Sequence, residues 1–222
     1  MSVLTGWLRK VRRRDAPRSY ALDGLDLKVR RHLDFDGGFF VEAGANDGLA
    51  QSNTLFFERH HGWRGLLIEP IPELADRCRR NRPRCEVENA ALVPIGFPDR
   101  EVEMRYCNLM SVVRGGMASA DEEDRHIAAG EACQAIASYS LRVPAKTLSA
   151  VLDEHGIGEV DFLSLDVEGF EAQALGGLDF SRHRPRFILV EARYRPRIEA
   201  VLDGYYALLA QLSHHDVLYA RR

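Results

Sequence analysis

The stretch Phe39-Phe40-Val41-Glu42-Ala43-Gly44-Ala45-Asn46-Asp47-Gly48 limits what this chain can fold into more than any other. An apolar run ends in an acid and then turns through two glycines four positions apart. A buried strand running straight into a glycine turn opens an α/β sheet, whose ligands sit at the carboxyl ends of the strands. Glycine suits such a turn because it tolerates positive φ and has no Cβ to keep a ligand from the backbone. The turn therefore predicts where the binding site lies.

The rest of the chain continues the alternation. Ser52 is placed to cap a helix through Thr54-Leu55-Phe56-Phe57-Glu58, stopped at Gly62. Arg64 to Glu69 reads as a second buried strand, and Pro72 opens a helix to about Arg80. Cys85 to Leu92 reads as a third strand, and Glu101 to Tyr106 alternates as a half-exposed one. Thr147 caps a helix over Leu148 to Glu154, followed by a buried strand from Val160 to Leu165 and a helix from Phe170 to Leu175. Arg186 to Ala192 is a further strand, 196–203 a helix, and Tyr206 to Ser213 with Val217 to Arg221 a hairpin. These elements predict an α/β fold: a mostly parallel sheet covered by helices on both faces, with a C-terminal antiparallel hairpin at one edge. The segment 108–138 is too long for a connector. It reads equally well as a lid or substrate-facing insertion and as a mobile surface excursion with a short helix.

A chain of 222 residues fits one domain. The net charge of -3 argues against nucleic acid as the main partner. The exception is local: Arg9, Lys10, Arg12, Arg13 and Arg14 lie beside Val3, Leu4, Trp7 and Leu8. Residues 1–35 thus read as a basic, helical extension before a catalytic domain over 36–222. Its first 14 residues are either a solvated end or a peripheral contact with an anionic membrane or glycan. Cys78, Cys85, Cys107 and Cys133 show no metal-ligand spacing, which predicts reduced thiols and a cytoplasmic protein. No apolar stretch approaches the about 20 residues of a membrane span. A homo-oligomer stays open.

Three acids recur at matching positions: Glu42, Glu69 and Asp166 each close a buried strand. Such acids converge on one crevice. A carboxylate at Glu69 is placed to accept hydrogen bonds from both ribose hydroxyls of a nucleoside, which suits nicotinamide enzymes and methyltransferases equally. The turn separates the two. A dinucleotide fingerprint presents a helix N-terminus to a pyrophosphate, whereas acids flank Gly44 to Gly48 on both sides. Those acids would repel a diphosphate and suit the cationic amino-acid end of S-adenosylmethionine. Ser52, Asn53 and Thr54 could hold that cofactor's carboxylate.

The residues then show a specific resemblance. Phe40 to Gly48, Ser52-Asn53-Thr54, Gly62-Trp63-Arg64-Gly65-Leu66-Leu67-Ile68-Glu69-Pro70, Asn81-Arg82-Pro83 and Asp161-Phe162-Leu163-Ser164-Leu165-Asp166-Val167-Glu168-Gly169-Phe170-Glu171 resemble the FkbM family of S-adenosylmethionine-dependent methyltransferases. The resemblance implies a Rossmann-like, class I methyltransferase sandwich with seven strands, and O-methyl transfer to a sugar, glycan or polyketide-like small molecule. It implies a cofactor site lined by Glu42, Gly44, Ala45, Asn46, Asp47, Ser52, Asn53, Thr54, Glu69, Pro70, Asn89, Ala90 and Ser111.

Methyl transfer to a hydroxyl needs an aligned oxygen and a proton acceptor. Asp166 is the first candidate, against a plain helix-capping role. Glu168 either faces the site or binds backbone amides. Asp166 and Glu191 end neighbouring strands and are the candidate ligands for Mg²⁺. His214-His215 and His126 are further base candidates, while Trp63 and Tyr194 read as packing. A nicotinamide-dependent oxidoreductase, a non-catalytic binding module and N-methylation remain as alternatives.

Overall fold

The computed structural model describes residues 18–222. The basic run before them lies outside the described residues. In chain order the elements are α1 (Leu25–Arg30), β1 (Phe39–Ala43), α2 (Leu55–His61), β2 (Arg64–Ile68), α3 (Pro72–Asn81), β3 (Glu86–Glu88), β4 (Ala91–Leu92), β5 (Glu101–Tyr106) and β6 (Val112–Val113). They continue with α4 (Ala120–Gln134), β7 (Tyr139–Lys146), α5 (Leu148–Glu154), β8 (Phe162–Leu165), α6 (Glu171–Leu175), β9 (Phe187–Glu191), α7 (Arg195–Leu202), β10 (Tyr206–Gln211) and β11 (Asp216–Arg221).

The main sheet has seven strands in the order β10-β11-β9-β8-β1-β2-β3. β1 is central and pairs in parallel with both β2 and β8, so Val41 lies between Leu66 and Leu163. Central strands covered on both faces read as continuous apolar runs, and β1, β2, β8 and β9 do. β11 runs antiparallel to β9 and β10, which is the hairpin expected at the edge. The sheet reverses direction of strand order between β1 and β8, and ligands bind at such a switch point.

Two apolar layers sandwich the sheet. One joins Val41, Leu66, Leu163 and Ile188 to α5, α6 and α7 through Val151, Leu175 and Ile198. The other joins Phe40, Leu67, Phe162 and Leu189 to Phe56, Phe57 and Trp63. Leu25, Val29 and Leu33 are buried in that second layer. The described part of the N-terminal segment is therefore packed into the domain core, although the sequence read it as an extension.

Two expectations change. The strand expected over 85–92 is two strands in different sheets. The Asn89 side chain donates to the carbonyls of Glu69 and Pro70 (both 2.8 Å), and the chain breaks from β2 there. β4 then pairs with β7 in a second sheet of order β4-β7-β5-β6. β7 itself had no counterpart in the sequence reading. Its residues do alternate, with Leu141, Val143 and Ala145 turned to an apolar cluster and Ser140, Arg142, Pro144 and Lys146 away from it, a signal that the reading passed over.

Candidate active site

Glycine at 44 adopts the positive φ expected of it, but the close approach it permits is not that of a ligand. Its φ is +82°, and a Cβ there would lie 1.8 Å from the Asp166 carbonyl oxygen. The close approach is between two strand ends of the protein itself, the β1 turn and the loop after β8.

The amides of the turn are all engaged. Gly44 and Ala45 donate to the Ile68 carbonyl, Asn46 to Glu69 Oε2 (2.8 Å) and Asp47 to the Asn46 side chain (2.8 Å). Gly48 donates to the Ala45 carbonyl, and Leu49 and Ala50 both donate to Asp47 Oδ1. No amide from Gly44 to Ala50 is left to cradle a phosphate.

Behind the turn lies a buried ionic network. Glu42 Oε1 accepts from the Asn53 amide (2.7 Å), and Oε2 accepts from the hydroxyls of Ser52 (2.8 Å) and Thr54 (2.6 Å). Ser52 Oγ in turn accepts from the Leu55 amide (3.1 Å) at the start of α2, although the N-cap position itself is Thr54, whose side chain makes no capping bond. Arg82, 1% exposed, pairs with Glu58 and donates to the Gly48 carbonyl (3.0 Å), Ser52 Oγ and Thr54 Oγ1 (both 3.2 Å). A guanidinium with five donors in a planar fork can tie turn, helix start and α3 end together in this way.

A cavity of about 370 Å³ opens over these strand ends. Glu42, Gly44, Ala45, Asn46, Ser52, Asn53, Glu69, Pro70, Ala90, Ser111, Asp166, Glu168 and Glu191 all line it. Asp47, Thr54 and Asn89, also expected there, are not among its lining residues. Asp47 caps the turn, Thr54 faces Glu42 and Arg82, and Asn89 braces the β2 exit. Among the described residues no lysine or arginine lines the cavity, whereas six carboxylates do: Glu42, Glu69, Asp166, Glu168, Glu191 and Asp216.

A model of the methyltransferase FkbM domain matches residues 42–218. The chain belongs to the FkbM methyltransferase family. No curated protein matches the sequence. Solved structures similar to this FkbM domain include a TehB-like SAM-dependent methyltransferase from Corynebacterium glutamicum, at 9% identity over 89% of this chain and 88% of that one (TM-score 0.45). Another is the precorrin-6y C5,15-methyltransferase of Geobacter metallireducens, at 10% identity over 93% of each chain (TM-score 0.47). A methyltransferase FkbM from Methylobacillus flagellatus matches at 15% identity over 83% of this chain and 44% of that one (TM-score 0.45). The family assignment rests on the family model.

The acids of this FkbM domain fall into two groups. Glu69 closes β2 and is buried; its oxygens accept from the amides of Asn46 and Ile71 (2.9 Å). Burial pushes its pKa up to about 7, against the lowering effect of those two amides. The second group follows β8 and β9. One oxygen each of Asp166, Glu171 and Glu191 lie within 4.8 Å of one another. Asp166 is exposed to the cavity, and desolvation by the protein crowded around the strand ends, with the neighbouring Glu191, pushes its pKa well above the usual carboxylate range. Glu171 accepts from the Gly169 and Val167 amides, and burial holds its pKa near 7. Glu191 Oε2 is buried with no hydrogen-bond partner. Carboxylates this close are common without an ion, so the cluster alone assigns no Mg²⁺ to Asp166 and Glu191.

The segment 108–138 forms the roof. It contains the 15-residue helix α4, capped by Ser119, with Glu123, His126, Ile127 and Gly130 buried beneath it. Asn108, Leu109, Met110, Cys133 and Gln134 line the cavity from this side, and Asn46 Nδ2 donates to Asn108 Oδ1 (3.1 Å). Tyr194 is more than packing: its hydroxyl donates to Glu122 (2.6 Å) and accepts from the Ala118 amide (3.1 Å), fastening α4 to the end of β9.

Several lining residues escaped the sequence reading. Ser164 is the polar exception in the buried strand β8, and it accepts from Asn53 Nδ2 (3.1 Å). That exception was a usable signal. His215, a base candidate from the sequence, lines the cavity; Asp216 beside it, and Leu22 and Leu25 from the N-terminal segment, line it as well. Nothing in their local sequence announces this, because only tertiary packing brings them to the strand ends. No helix among the described residues is long and apolar enough to cross a membrane.

Proposed function

We propose that the cavity binds S-adenosylmethionine and that the protein transfers its methyl group to a hydroxyl of a sugar, glycan or polyketide-like small molecule. One observation carries the choice of cofactor. Every amide of the Gly44–Ala50 turn is already donated within the protein, and among the described residues no lysine or arginine lines the cavity. A diphosphate would meet carboxylates and none of the turn amides that usually cradle it. A cationic sulfonium meets carboxylates, which attract it. Glu69 is the residue for the ribose and Asp166 for orienting the acceptor. Gly44 lets the Asp166 backbone close against the turn, which brings the ends of β1 and β8 together beneath the cavity.

S-adenosylmethionine supplies an electrophilic methyl group. The protein's part is to align an acceptor oxygen with it and take the hydroxyl proton. Calorimetric titration with S-adenosylhomocysteine and, separately, with NAD tests the reading. One saturable site for the homocysteine product and no heat with NAD support it; the reverse pattern refutes it.

A further inference from the structure

We propose that Asn108, in the roof, is a cofactor-binding residue whose side-chain Nδ2 donates to a ribose hydroxyl that Glu69 holds from the other side. The inference rests on the S-adenosylmethionine reading above, and it concerns a residue to which the sequence assigned no role. Three observations carry it.

First, the protein itself fixes which way both asparagine amides point. The Asp47 backbone N–H, which can only donate, lies 2.8 Å from the Asn46 side chain. The atom facing it is therefore Asn46 Oδ1, and Nδ2 is the other end of that amide. Asn46 Nδ2 lies 3.1 Å from the Asn108 side chain. A donor needs an acceptor there, so Asn108 turns Oδ1 to Asn46 and keeps Nδ2 free. That Nδ2 has no hydrogen-bond partner among the described residues and is not sealed from solvent. Asn108 lines the cavity, so the free donor is offered there.

Second, this donor stands beside the residue assigned to the ribose. Asn46 touches both groups: its backbone amide donates to Glu69 Oε2 (2.8 Å), and its Nδ2 donates to Asn108. A ribose hydroxyl has one hydrogen to give and lone pairs that receive. A carboxylate on one side and an amide NH₂ on the other satisfy both.

Third, the surrounding chain orders Asn108. Its φ is +50°, a left-handed value that asparagine tolerates better than most residues. Ser111 Oγ donates to the Asn108 carbonyl (2.7 Å) and accepts from the Cys107 amide (2.9 Å). Gln134, at the end of α4, accepts from the Leu109 amide (3.3 Å) and donates to the Cys107 carbonyl (2.9 Å). The turn is thus tied to α4 on both sides of Asn108, and Asn46 fastens it to the cavity floor. A side chain held this way forms its bond to a ligand with little further ordering.

The test is calorimetry with S-adenosylhomocysteine and with its two analogues that each lack one ribose hydroxyl. Asn108→Gly removes the side chain and suits the positive φ. Asn108→Asp keeps an oxygen for Asn46 and removes the donor. Both variants are expected to bind S-adenosylhomocysteine about fivefold more weakly, the worth of one hydrogen bond. On the analogue that lacks the contacted hydroxyl, Asn108→Gly is expected to lose less than about twofold relative to native protein, because the partner of Nδ2 is already gone. Equal losses on all three ligands would leave Asn108 a purely structural role and overturn the proposal. Variants that bind S-adenosylhomocysteine as tightly as native protein would overturn it as well. Native protein with no affinity for S-adenosylhomocysteine loses the cofactor reading and this assignment together, whereas native affinity with indifferent variants removes the assignment alone.

Discussion

At position 44 one methyl group separates a working strand end from a broken one. The Cβ of Gly44→Ala would overlap the Asp166 carbonyl and strain a positive φ. Left-handed strain and overpacking together cost about 3 kcal/mol or more, to be read as a lower midpoint in urea denaturation. Glu69→Ala removes the carboxylate assigned to the ribose and is expected to weaken S-adenosylhomocysteine at least tenfold by calorimetry, about 1.4 kcal/mol. The importance of both residues was legible in the sequence, since strand ends and glycine turns have local signatures. The reason for Gly44 was not, because Asp166 lies far along the chain. Arg82 shows the same limit: a single arginine gave no sign that it would be buried among Glu42, Glu58, Ser52 and Thr54.

At the scale of elements, the helices and strands with periodic apolar faces were legible. Thr147 accepts from the Ala150 amide at the start of α5, where the sequence placed a cap. β7 was legible in the alternation of Tyr139, Leu141, Val143 and Ala145 with polar residues or proline, although the reading passed over it, whereas the split of β3 from β4 was not, because one side-chain amide makes the break. The roof is the element that matters most to the site. Tyr194→Phe removes both hydroxyl bonds that fasten α4. A hydrogen bond contributes about 1 kcal/mol net, so faster amide hydrogen exchange is expected at Ala118 and through the first turn of α4. Unchanged exchange there would mean that Arg105, which pairs with Glu123 and Asp124, holds the helix by itself.

For the whole molecule, the crowded carboxylates link stability to pH. Glu69 and Glu171 titrate near 7 and Glu168 near 8 in the folded protein, against 4.5 for an ordinary glutamate. The native state thus holds more protons than the unfolded chain between those values, and stability falls as pH rises through them. His155, raised by Glu88 and Glu86 against the lowering effect of burial, acts in the same direction as pH rises from the ordinary histidine value through its own folded value. His126, lowered by burial, acts in the opposite direction. A melting temperature lower by ~5 °C at pH 8.5 than at pH 5.5 is expected by calorimetry. A flat or rising profile would mean that these acids are better solvated than their surroundings suggest. The fold class and the family were legible from strand ends and loop blocks because those encode the switch point. The acceptor was not, because the cavity walls come from the hairpin, the roof and the N-terminal segment.

The most direct measurement is a crystal structure of the protein with S-adenosylhomocysteine. The ribose hydroxyls are predicted within hydrogen-bond distance of Glu69, with the sulfur directed toward Asp166 and Glu168. Density for the product outside this cavity, or a ribose that makes no contact with Glu69, would contradict the account.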